Sequence, residues 1–522
     1  MAGGCLGSVF LVGAPSFWAW VAYVPFFWVT DCCSPKSAFL RGWAAGAVAW
    51  AVGLHWMAPA AFELTGEFSW KGSILLSLFF CLLGLHFAIV AGVAAVAARR
   101  RTDGSVGIKG LYAVSLVLAL TSAERLIPAL FPPVLAISQV LRPITIQSLD
   151  LFGMAGLALL IGGFNAALYF FIRRSWERRA FVGATPLFCF LFLVGMNEVY
   201  GRYRLGAAET DATSHSALKV VVAQASLPRV KVGGPDRFEE NLTVYNGLTK
   251  TALAAGKPDL VVWPQNTYKR WLEFAKEDEE FRNPQLQGVS FSTMLKKDIP
   301  HEVPVLFGTG GKRIMRFEGK RRIVRTHYLA LLKGVDGAIR GIVSKRFPTP
   351  FAERVPGAAT FPVLNKLFPN RMPIRSGFQE PLKMKSGVVL GTFVCYDLTV
   401  AQAARDLAAK GAQVLVTVSS DQWSTKSDIF KLHLRYAIIR AVENRRSLIR
   451  ASVSGISVIL APTGRILGRI GIDEVGWISA TVPLNSERTL ANHLGESPYW
   501  ACLVLLLSLV AMGLTYKDVK RA

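Results

Sequence analysis

Long apolar segments separated by short basic loops dominate the first two hundred residues, and one more apolar segment lies near the C-terminus. Each long segment approaches the roughly 20 apolar residues that a helix needs to cross a bilayer core. The first thirty residues are compatible with a short hairpin broken at Pro15. The pattern therefore predicts seven or eight membrane spans. The long segments are 39–59, 73–98, 110–126, 150–172, 180–200 and 498–515.

Residues 203–497 show a different pattern, in which strand-like and helix-like stretches alternate. Short apolar runs bounded by turn residues predict strands, and longer amphipathic stretches predict helices. Such an alternation is typical of an α/β domain, and about three hundred residues are enough to bury one large core. Predicted strands include 218–226, 258–264, 387–395 and 413–421, and predicted helices include 235–255, 399–412 and 428–446.

Three clusters of basic residues set the expected orientation of the chain. ARRRTDGSVGIKG follows the segment 73–98, RRSWERR follows 150–172, and YKDVKRA ends the chain. Loops rich in Lys and Arg stay in the cytoplasm, so the α/β region is expected on the outer side, in a periplasm. We therefore predict N-terminal transmembrane helices over 1–202, a periplasmic domain over 203–497, and a C-terminal transmembrane helix with a cytoplasmic tail over 498–522.

The composition favours a membrane protein with a basic surface. The 522-residue chain is 52% hydrophobic, its mean hydropathy is +0.36, and its formal net charge is +24. Soluble proteins of this length are rarely so apolar. A basic excess of this size suits either nucleic acid or a membrane surface, and the apolar segments favour the membrane. We therefore expect no nucleic-acid partner.

Cysteine usage directs attention to one thiol. Six of the seven cysteines fall in or beside membrane segments, whereas Cys395 is alone in residues 203–497 and ends the apolar stretch GVVLGTFVC. An oxidising compartment favours paired cysteines, so a lone thiol is either reactive or a buried, inert core residue. A helix is predicted directly after Cys395, and a helix N-terminus would lower the pKa of the thiol. We expect Cys395 to be a nucleophile and keep the inert alternative open.

Two more polar residues follow predicted strands. Lys345 lies in SKRFPTPFAERVP after one strand, and Gln265 lies in VVWPQN after another. Active groups in α/β folds gather at the carboxyl ends of the strands. We therefore expect Lys345, Gln265 and Cys395 to meet in one site. Metal-ligand spacings such as CxxC or HExxH do not occur, so we expect neither a metal nor a cofactor.

These stretches together resemble the apolipoprotein N-acyltransferases, a family of membrane enzymes with a nitrilase-like domain set between membrane helices. The Cys-Tyr-acidic pattern around the family's nucleophile matches Cys395, Tyr396 and Asp397. The family's lysine and second glutamate are eight residues apart, as Lys345 and Glu353 are. Further matches are Pro350, Phe351, Asp421, Trp423, His433, Arg440, Glu443, Trp56 and Glu124.

The resemblance implies a fold, a reaction and partners. The fold would be a multi-span α-helical membrane domain plus an α/β nitrilase-like domain, an α-β-β-α sandwich. An acyl chain would pass from a phospholipid, with phosphatidylethanolamine the expected donor, through a thioester on Cys395 to the α-amino group of a diacylglyceryl-modified apolipoprotein. Lys345 would stabilise the oxyanion, and Tyr396 and Trp423 would contact the substrate. The protein would be a monomer of the bacterial inner membrane, with its catalytic domain on the periplasmic side.

One departure from the family pattern concerns the catalytic base. The family has glutamate after Trp-Pro, whereas this chain has Gln265, whose amide does not accept a proton in a useful pH range. Three interpretations remain open: Glu353 or another carboxylate replaces the base, a thiolate stable without a base gives slow catalysis, or the chain binds lipid or lipoprotein without turnover. A nitrilase-type amidase and a Cys-His hydrolase using His327 or His433 are the other candidates. Ser420, where the family usually has asparagine, is a second departure.

Overall fold

The computed structural model consists of two compact units. One comprises Met1–Phe62, Glu67–Gly206 and His493–Ala522, and the other contains Ala207–Asn492. The long apolar helices belong to the first unit and the sheets to the second. The residues described are 1–11, 13–31, 34–58, 70–98, 106–126, 135–176, 180–211, 216–227, 238–274, 288–317, 320–367, 374–421 and 427–519.

The first unit is built from helices that approach each other through small residues. A Cβ on Gly42 would lie 2.6 Å from the carbonyl oxygen of Phe87, so Pro35–Gly53 and Trp70–Ala97 come close only because glycine is there. Contacts of this kind are typical of helices packed in membranes. The helices are Ala2–Ser8, Val24–Thr30, Pro35–Gly53, Trp70–Ala97, Val106–Leu126, Leu149–Trp176, Ala180–Asp211 and Ser497–Val519, with 3-10 turns at Ser16–Trp20, His55–Met57, Leu135–Gln139 and Thr145–Ser148.

Four helices within the described ranges are long and apolar enough to cross a membrane. They correspond to four of the predicted segments, and they fit a membrane protein. The predicted segments 39–59 and 110–126 are largely helical, as Pro35–Gly53 and Val106–Leu126, but they are not among these four. The larger number of spans expected from the sequence stays a prediction. The four helices are Leu76–Ala97, Thr145–Trp176, Ala184–Ala207 and Ser497–Leu514.

The second unit contains two mixed sheets. Its strands are β1 (Ala217–Gln224), β2 (Leu260–Val262), β3 (Tyr268–Phe274), β4 (Val305–Phe317), β5 (Lys320–Lys333), β6 (Ile339–Ser344), β7 (Leu382–Lys383), β8 (Val389–Val394), β9 (Val414–Ser419), β10 (Leu448–Ser452), β11 (Ser457–Leu460), β12 (Ile466–Ile470) and β13 (Gly476–Pro483). The first sheet has the order β13-β1-β2-β4-β5-β6, with β3 paired to β4, and the second has the order β12-β11-β10-β9-β8-β7.

The two sheets face each other across an apolar core and carry helices on their outer faces. Strands of both sheets contribute to one buried cluster, with Val220 from the first sheet and Val416 from the second. The opposite face of the first sheet packs against Phe238–Ala255. Ala401–Ala409 and Ser427–Asn444 contact the second sheet. The predicted α-β-β-α sandwich is therefore confirmed.

The directions of the strands place the candidate site residues beyond the carboxyl ends of their strands. β2 is parallel to β1 and β4, and β8 is parallel to β9. β6 runs in the same direction as β4, because both are antiparallel to β5. Gln265, Lys345 and Cys395 therefore all lie just beyond the carboxyl ends of strands, as the sequence predicted. The remaining helices of this unit are Gly288–Asp298 and Leu490–Leu494, with 3-10 turns at Pro362–Leu367 and Cys395–Thr399.

Candidate active site

The candidate nucleophile lies in a strained turn at the end of β8. Cys395 is 7% exposed and has a φ of 54°. A positive φ is uncommon for a residue with a Cβ and persists only where the surrounding structure fixes it. Asn266, in the loop after β2, and Phe351, in the loop after β6, also have positive φ values, 59° and 66°. Strained backbone of this kind clusters at functional sites, and here it occurs in three neighbouring strand-end loops.

The surroundings of the Cys395 thiol keep it protonated at neutral pH. Burial raises the pKa of the thiol, and the negative charges of Asp421 and Glu353 raise it further. The positive charge of Lys345 and a hydrogen bond with the Ser419 side chain lower the thiol pKa without overcoming burial. The low thiol pKa predicted from the helix N-terminus is therefore wrong, because desolvation outweighs the effect of one short turn. Attack by this thiol requires a group that takes its proton.

Lys345 is a fully buried cation paired with a carboxylate. Its Nζ lies 2.8 and 2.7 Å from the two carboxylate oxygens of Glu353. Nζ also donates to Thr349 Oγ1 at 3.1 Å and lies 5.8 Å from the centre of the Tyr328 ring. Burial by itself lowers the pKa of a lysine, but the charges of Glu353 and Cys395 raise the pKa of Lys345 above its ordinary value. Lys345 is therefore a fixed positive charge, the kind of group that stabilises an oxyanion.

Glu353 is bound to Lys345 and to its own loop. Its Oε2 also accepts a hydrogen bond from the backbone N–H of Thr349 at 2.6 Å, so both carboxylate oxygens have protein donors. The carboxylate is 11% exposed. Arg346, in the same loop as Lys345, pairs with Asp406, with 2.6 Å between Nη1 and Oδ2. Glu353 is thus part of the buried charge cluster, and its role as a substitute base remains a proposal.

Gln265 is linked to the Cys395 thiol through Ser419. Its backbone N–H donates to the carbonyl oxygen of Ser419 at 3.4 Å, and the Ser419 side chain is the hydrogen-bond partner of the Cys395 thiol. A Cβ on Gly308 would lie 2.4 Å from the Cα of Gln265, so glycine is needed there for the close approach of β4. The side chain is buried, and its Oε1 has no hydrogen-bond partner among the residues that the structure describes.

Asp397 holds two loops of the site together. Its carboxylate accepts hydrogen bonds from the backbone N–H groups of Phe347 at 2.7 Å and of Arg346 and Val394 at 3.2 Å. It also accepts from Gln379 Nε2 at 2.9 Å. Burial raises the pKa of Asp397 to about 6, although Lys345 and these donors act in the opposite direction. The loop that carries Lys345 is therefore fixed against the turn that carries the nucleophile.

Two regions of the chain match protein-family models. Residues 2–167 match the apolipoprotein N-acyltransferase N-terminal domain, and residues 223–492, just over half of the chain, match the carbon-nitrogen hydrolase model. The chain belongs to the carbon-nitrogen hydrolase family. The second unit, with its sandwich and its lone thiol, lies within the region that this family model covers.

Relatives match this member of the carbon-nitrogen hydrolase family over almost its full length. An apolipoprotein N-acyltransferase from Geobacter metallireducens is 27% identical over 505 residues, which is 96% of this chain and 92% of the relative. One from Bdellovibrio bacteriovorus is 27% identical over 510 residues, which is 95% of this chain and 89% of the relative. The resemblance to the apolipoprotein N-acyltransferases predicted from the motifs is therefore confirmed. Among solved structures, an amidase from Nesterenkonia sp. aligns with 52% of this chain and 91% of its own length, at 17% sequence identity and a TM-score of 0.35.

Tyr396 and Trp423 were expected to contact the substrate, and only Tyr396 is among the described residues. Tyr396 follows the nucleophile directly and is buried, and burial raises the pKa of its hydroxyl to about 12. Its charge interaction with Lys345 places it beside the buried cation. Trp423 lies outside the described residues. A role of either residue in substrate binding remains a proposal.

Each histidine of the Cys-His alternative has a hydrogen-bond partner of its own among the described residues. His433 Nδ1 lies 2.9 Å from Asp421 Oδ1, and His327 Nδ1 lies 3.2 Å from Ser344 Oγ. The groups that act on the pKa of the Cys395 thiol are carboxylates, a lysine and a serine. His433 therefore belongs to a hydrogen-bonded network around Asp421.

That network fixes the loop after β9. Asp421 accepts hydrogen bonds from Ser419 Oγ at 2.9 Å and from Ser452 Oγ at 3.1 Å, and it forms a buried ion pair with Arg450. Burial alone would raise the pKa of Asp421, but the charges of Arg450 and His433 hold it well below its usual range. A carboxylate so strongly held in its ionised form is a poor proton acceptor.

Sequence reasoning assigned no role in the site to Asn266, Tyr328 and Ser419, and it named Asp397 only as a match to the family pattern. Asp397 is the acidic residue of the Cys-Tyr-acidic pattern. Ser419 lies within the predicted strand 413–421 and is the last residue of the observed strand β9. Nothing in the sequence indicated Tyr328, which reaches the site from the middle of β5. Its pKa is raised by burial and responds to Glu353 and Cys395, so it lies among the charged groups of the site.

Proposed function

We propose that this protein transfers an acyl chain from a phospholipid to the α-amino group of the N-terminal diacylglyceryl-cysteine of lipoproteins. The names of its full-length relatives and the match to the apolipoprotein N-acyltransferase N-terminal domain support this function. The observation that carries it is the buried cluster of Cys395 with the Lys345–Glu353 ion pair, in a chain that also has helices apolar enough to cross a membrane. A small-amide hydrolase has no evident use for such helices.

The first half-reaction forms a thioester. The sulfur of Cys395 attacks the carbonyl carbon of the sn-1 ester, and Lys345 stabilises the negative charge on the tetrahedral oxygen. The ester C–O bond then breaks, and the thiol proton ends on the hydroxyl of the leaving lysophospholipid. Glu353 is our candidate for the carrier of that proton, because Gln265 cannot carry it. Phosphatidylethanolamine is the proposed donor.

The second half-reaction consumes the thioester. The lone pair of the lipoprotein's α-amino group attacks the thioester carbon, the C–S bond breaks, and an amide forms. One amine proton returns to the sulfur of Cys395, so the enzyme is regenerated without a cofactor. The order is ping-pong, because the lysophospholipid leaves before the lipoprotein reacts. Tyr396 and Trp423 are proposed contacts for the two lipid substrates.

The proposed setting is the bacterial inner membrane, crossed several times by a monomer whose sandwich unit is periplasmic. The three basic clusters support this orientation, because loops rich in Lys and Arg stay in the cytoplasm. Both substrates of the proposed reaction are lipid-anchored, and a basic protein surface also suits phospholipid head groups.

A weakly active or inactive homologue that binds lipid or lipoprotein is the second candidate. Gln265 stands where the resemblance implies a general base, and the thiol pKa is raised. General acid–base assistance is typically worth about 10²–10⁴-fold in rate. A chain that lost it without a substitute would bind its substrates and turn them over slowly or not at all.

The test is the complete reaction in lipid nanodiscs. The purified protein is mixed with phosphatidylethanolamine that carries an isotope-labelled sn-1 chain and with a diacylglyceryl-cysteine peptide. We expect the labelled chain as an amide on the peptide N-terminus, and none with Cys395→Ala. Peptide that binds but never gains the label would favour the binding homologue and contradict the acyltransferase.

A further inference from the structure

Two neighbouring side-chain amides have buried oxygens for which the described part of the chain offers no hydrogen-bond partner. Gln265 is 2% exposed, and its Oε1 has no partner among the residues that the structure describes. The Oδ1 of Asn266 is likewise buried and without a partner within those ranges. Unsatisfied buried acceptors are costly and rare in folded proteins. Two of them side by side indicate that a ligand with hydrogen-bond donors completes the pair.

The amide pair lies at the candidate active site. The backbone N–H of Gln265 donates a hydrogen bond to the carbonyl oxygen of Ser419, and the Ser419 side chain forms a hydrogen bond with the Cys395 thiol. A side-chain hydrogen bond joins Asn266 to Tyr328, and the ring of Tyr328 lies 5.8 Å from the Nζ of the buried lysine. The positive φ of Asn266 and the close approach of β4 hold the backbone of the pair in place.

We propose that Gln265 and Asn266 bind the amino group of the acyl acceptor through its N–H bonds and direct its lone pair at the thioester on Cys395. This inference rests on the proposed function and assigns it an acceptor-amine subsite. A neutral primary amine offers two N–H donors and one lone pair. Two carboxamide oxygens can take both donors, which leaves the lone pair free for the thioester carbon.

A neutral amide suits this task better than a carboxylate. An α-amino group ordinarily has a pKa of about 7.7–8.0, so roughly half of it or more is protonated at neutral pH, and the protonated form has no lone pair. A carboxylate in contact with the amine would raise the amine pKa further. Gln265 and Asn266 carry no charge, and the positive charge of Lys345 nearby favours the neutral amine. The replacement of an acid by Gln265 thus keeps the acceptor in its reactive form.

The test measures the second half-reaction alone. Acyl-enzyme is formed with phospholipid, separated from excess donor, and mixed with a diacylglyceryl-cysteine peptide, and loss of the thioester is followed by mass spectrometry. Gln265→Met and Asn266→Ala should each slow the transfer about 3- to 10-fold, the effect of one lost hydrogen bond. Thr417→Val is the matched control, because Thr417 lies in β9 and its buried hydroxyl has no hydrogen-bond partner in the part of the chain that the structure describes. Its transfer rate should equal that of the wild type.

The pH profile provides a second readout. Gln265→Glu should raise the apparent pKa of the transfer step, because a carboxylate would then stabilise the protonated amine. The other titratable groups of the site are the same in both proteins, so the difference between the two profiles reports on position 265. Those groups are Tyr328, Lys345, Glu353, Cys395, Asp397 and Asp421.

The results of these experiments distinguish the amine subsite from the acyltransferase activity. Transfer at the wild-type rate in both amide variants, or a pH profile unchanged by Gln265→Glu, would overturn the amine subsite and leave the acyltransferase in place. Absence of any acyl-enzyme in the wild type would overturn the acyltransferase and the subsite with it. If Gln265→Met fails to fold, judged by its thermal unfolding, Asn266→Ala and the pH profile of Gln265→Glu still decide the matter.

Discussion

Breaking the Lys345–Glu353 ion pair from one side should destabilise the sandwich unit, whereas neutralising both partners should not. Lys345 is fully buried and Glu353 is 11% exposed, so Lys345→Met leaves a carboxylate in the interior without its counter-charge. Removal of one partner of a buried pair typically costs about 3–5 kcal/mol. For a domain of this size each kcal/mol lowers the unfolding midpoint by about 2–4 °C, so we expect a fall of roughly 6–20 °C. Glu353→Gln should act in the same direction, because it strands the buried ammonium.

The double variant Lys345→Met/Glu353→Gln separates stability from chemistry. It contains no unpaired charge, so its unfolding midpoint should return to within a few degrees of the wild type. Its acylation rate should stay at the level of Lys345→Met, because the charge that lowers the thiol pKa and stabilises the oxyanion is still missing. Asp406→Asn, which breaks the half-exposed pair with Arg346, is the matched control and should shift the midpoint little.

The assay combines thermal unfolding followed by near-ultraviolet circular dichroism with acylation of the protein in the same detergent. Unfolding midpoints of both single variants within about 2 °C of the wild type would refute the reasoning, since one kcal/mol already shifts the midpoint by that amount. A double variant no more stable than the worse single variant would refute it as well. Either result would mean that the two side chains do not depend on each other for charge balance.

Three further predictions concern the base, pH and topology. Gln265→Glu should speed acylation of the thiol by up to ~10²–10⁴-fold in pre-steady-state mass spectrometry, and an unchanged rate would mean that another group already serves as base. Between pH 4 and 6 the folded chain keeps a proton on Asp397 that the unfolded chain loses, because burial raises its pKa from 3.8 to about 6. The stability of the wild type should therefore fall as pH rises through that window. The difference between the unfolding midpoints of wild type and Asp397→Asn should change within the window and stay constant above it. Alkaline phosphatase fused after Trp176 should be inactive and fused after Leu484 active, and equal activities would contradict the proposed orientation.

Much of the fold was predictable because it depends on local apolar patterning. The buried strands β1, β2, β8 and β9 are continuous apolar runs, and their ends differ from prediction by only a few residues. Tyr268–Phe274 and Gly288–Asp298 were missed because each mixes polar and apolar residues and depends on tertiary packing. The basic stretches of β4 and β5 extend as a hairpin beyond the apolar runs that marked them, since cross-strand hydrogen bonding continues where side-chain patterning stops.

The sequence predicted which residues meet in the site, but it did not predict the pKa of the thiol. The positions of Gln265, Lys345 and Cys395 after strands followed from the alternation of elements. The raised pKa of the Cys395 thiol did not, because it depends on burial by segments far apart in sequence. The same holds for Ser419 and Asn266. Ser419 comes close to the Cys395 thiol because β9 pairs with β8, and Asn266 reaches Tyr328 within the first sheet, so both contacts depend on strand pairing between separate segments of the chain.

The central claim is that Cys395 carries the acyl chain, and intact-protein mass spectrometry tests it most directly. The purified wild type is incubated with phosphatidylethanolamine, quenched in acid to preserve thioesters, and digested to locate any added mass. We predict one added acyl chain on the peptide that contains Cys395, its loss on treatment with neutral hydroxylamine, and its absence in Cys395→Ala. An acyl chain on another residue, or none at all after complete delivery of substrate, would contradict the account.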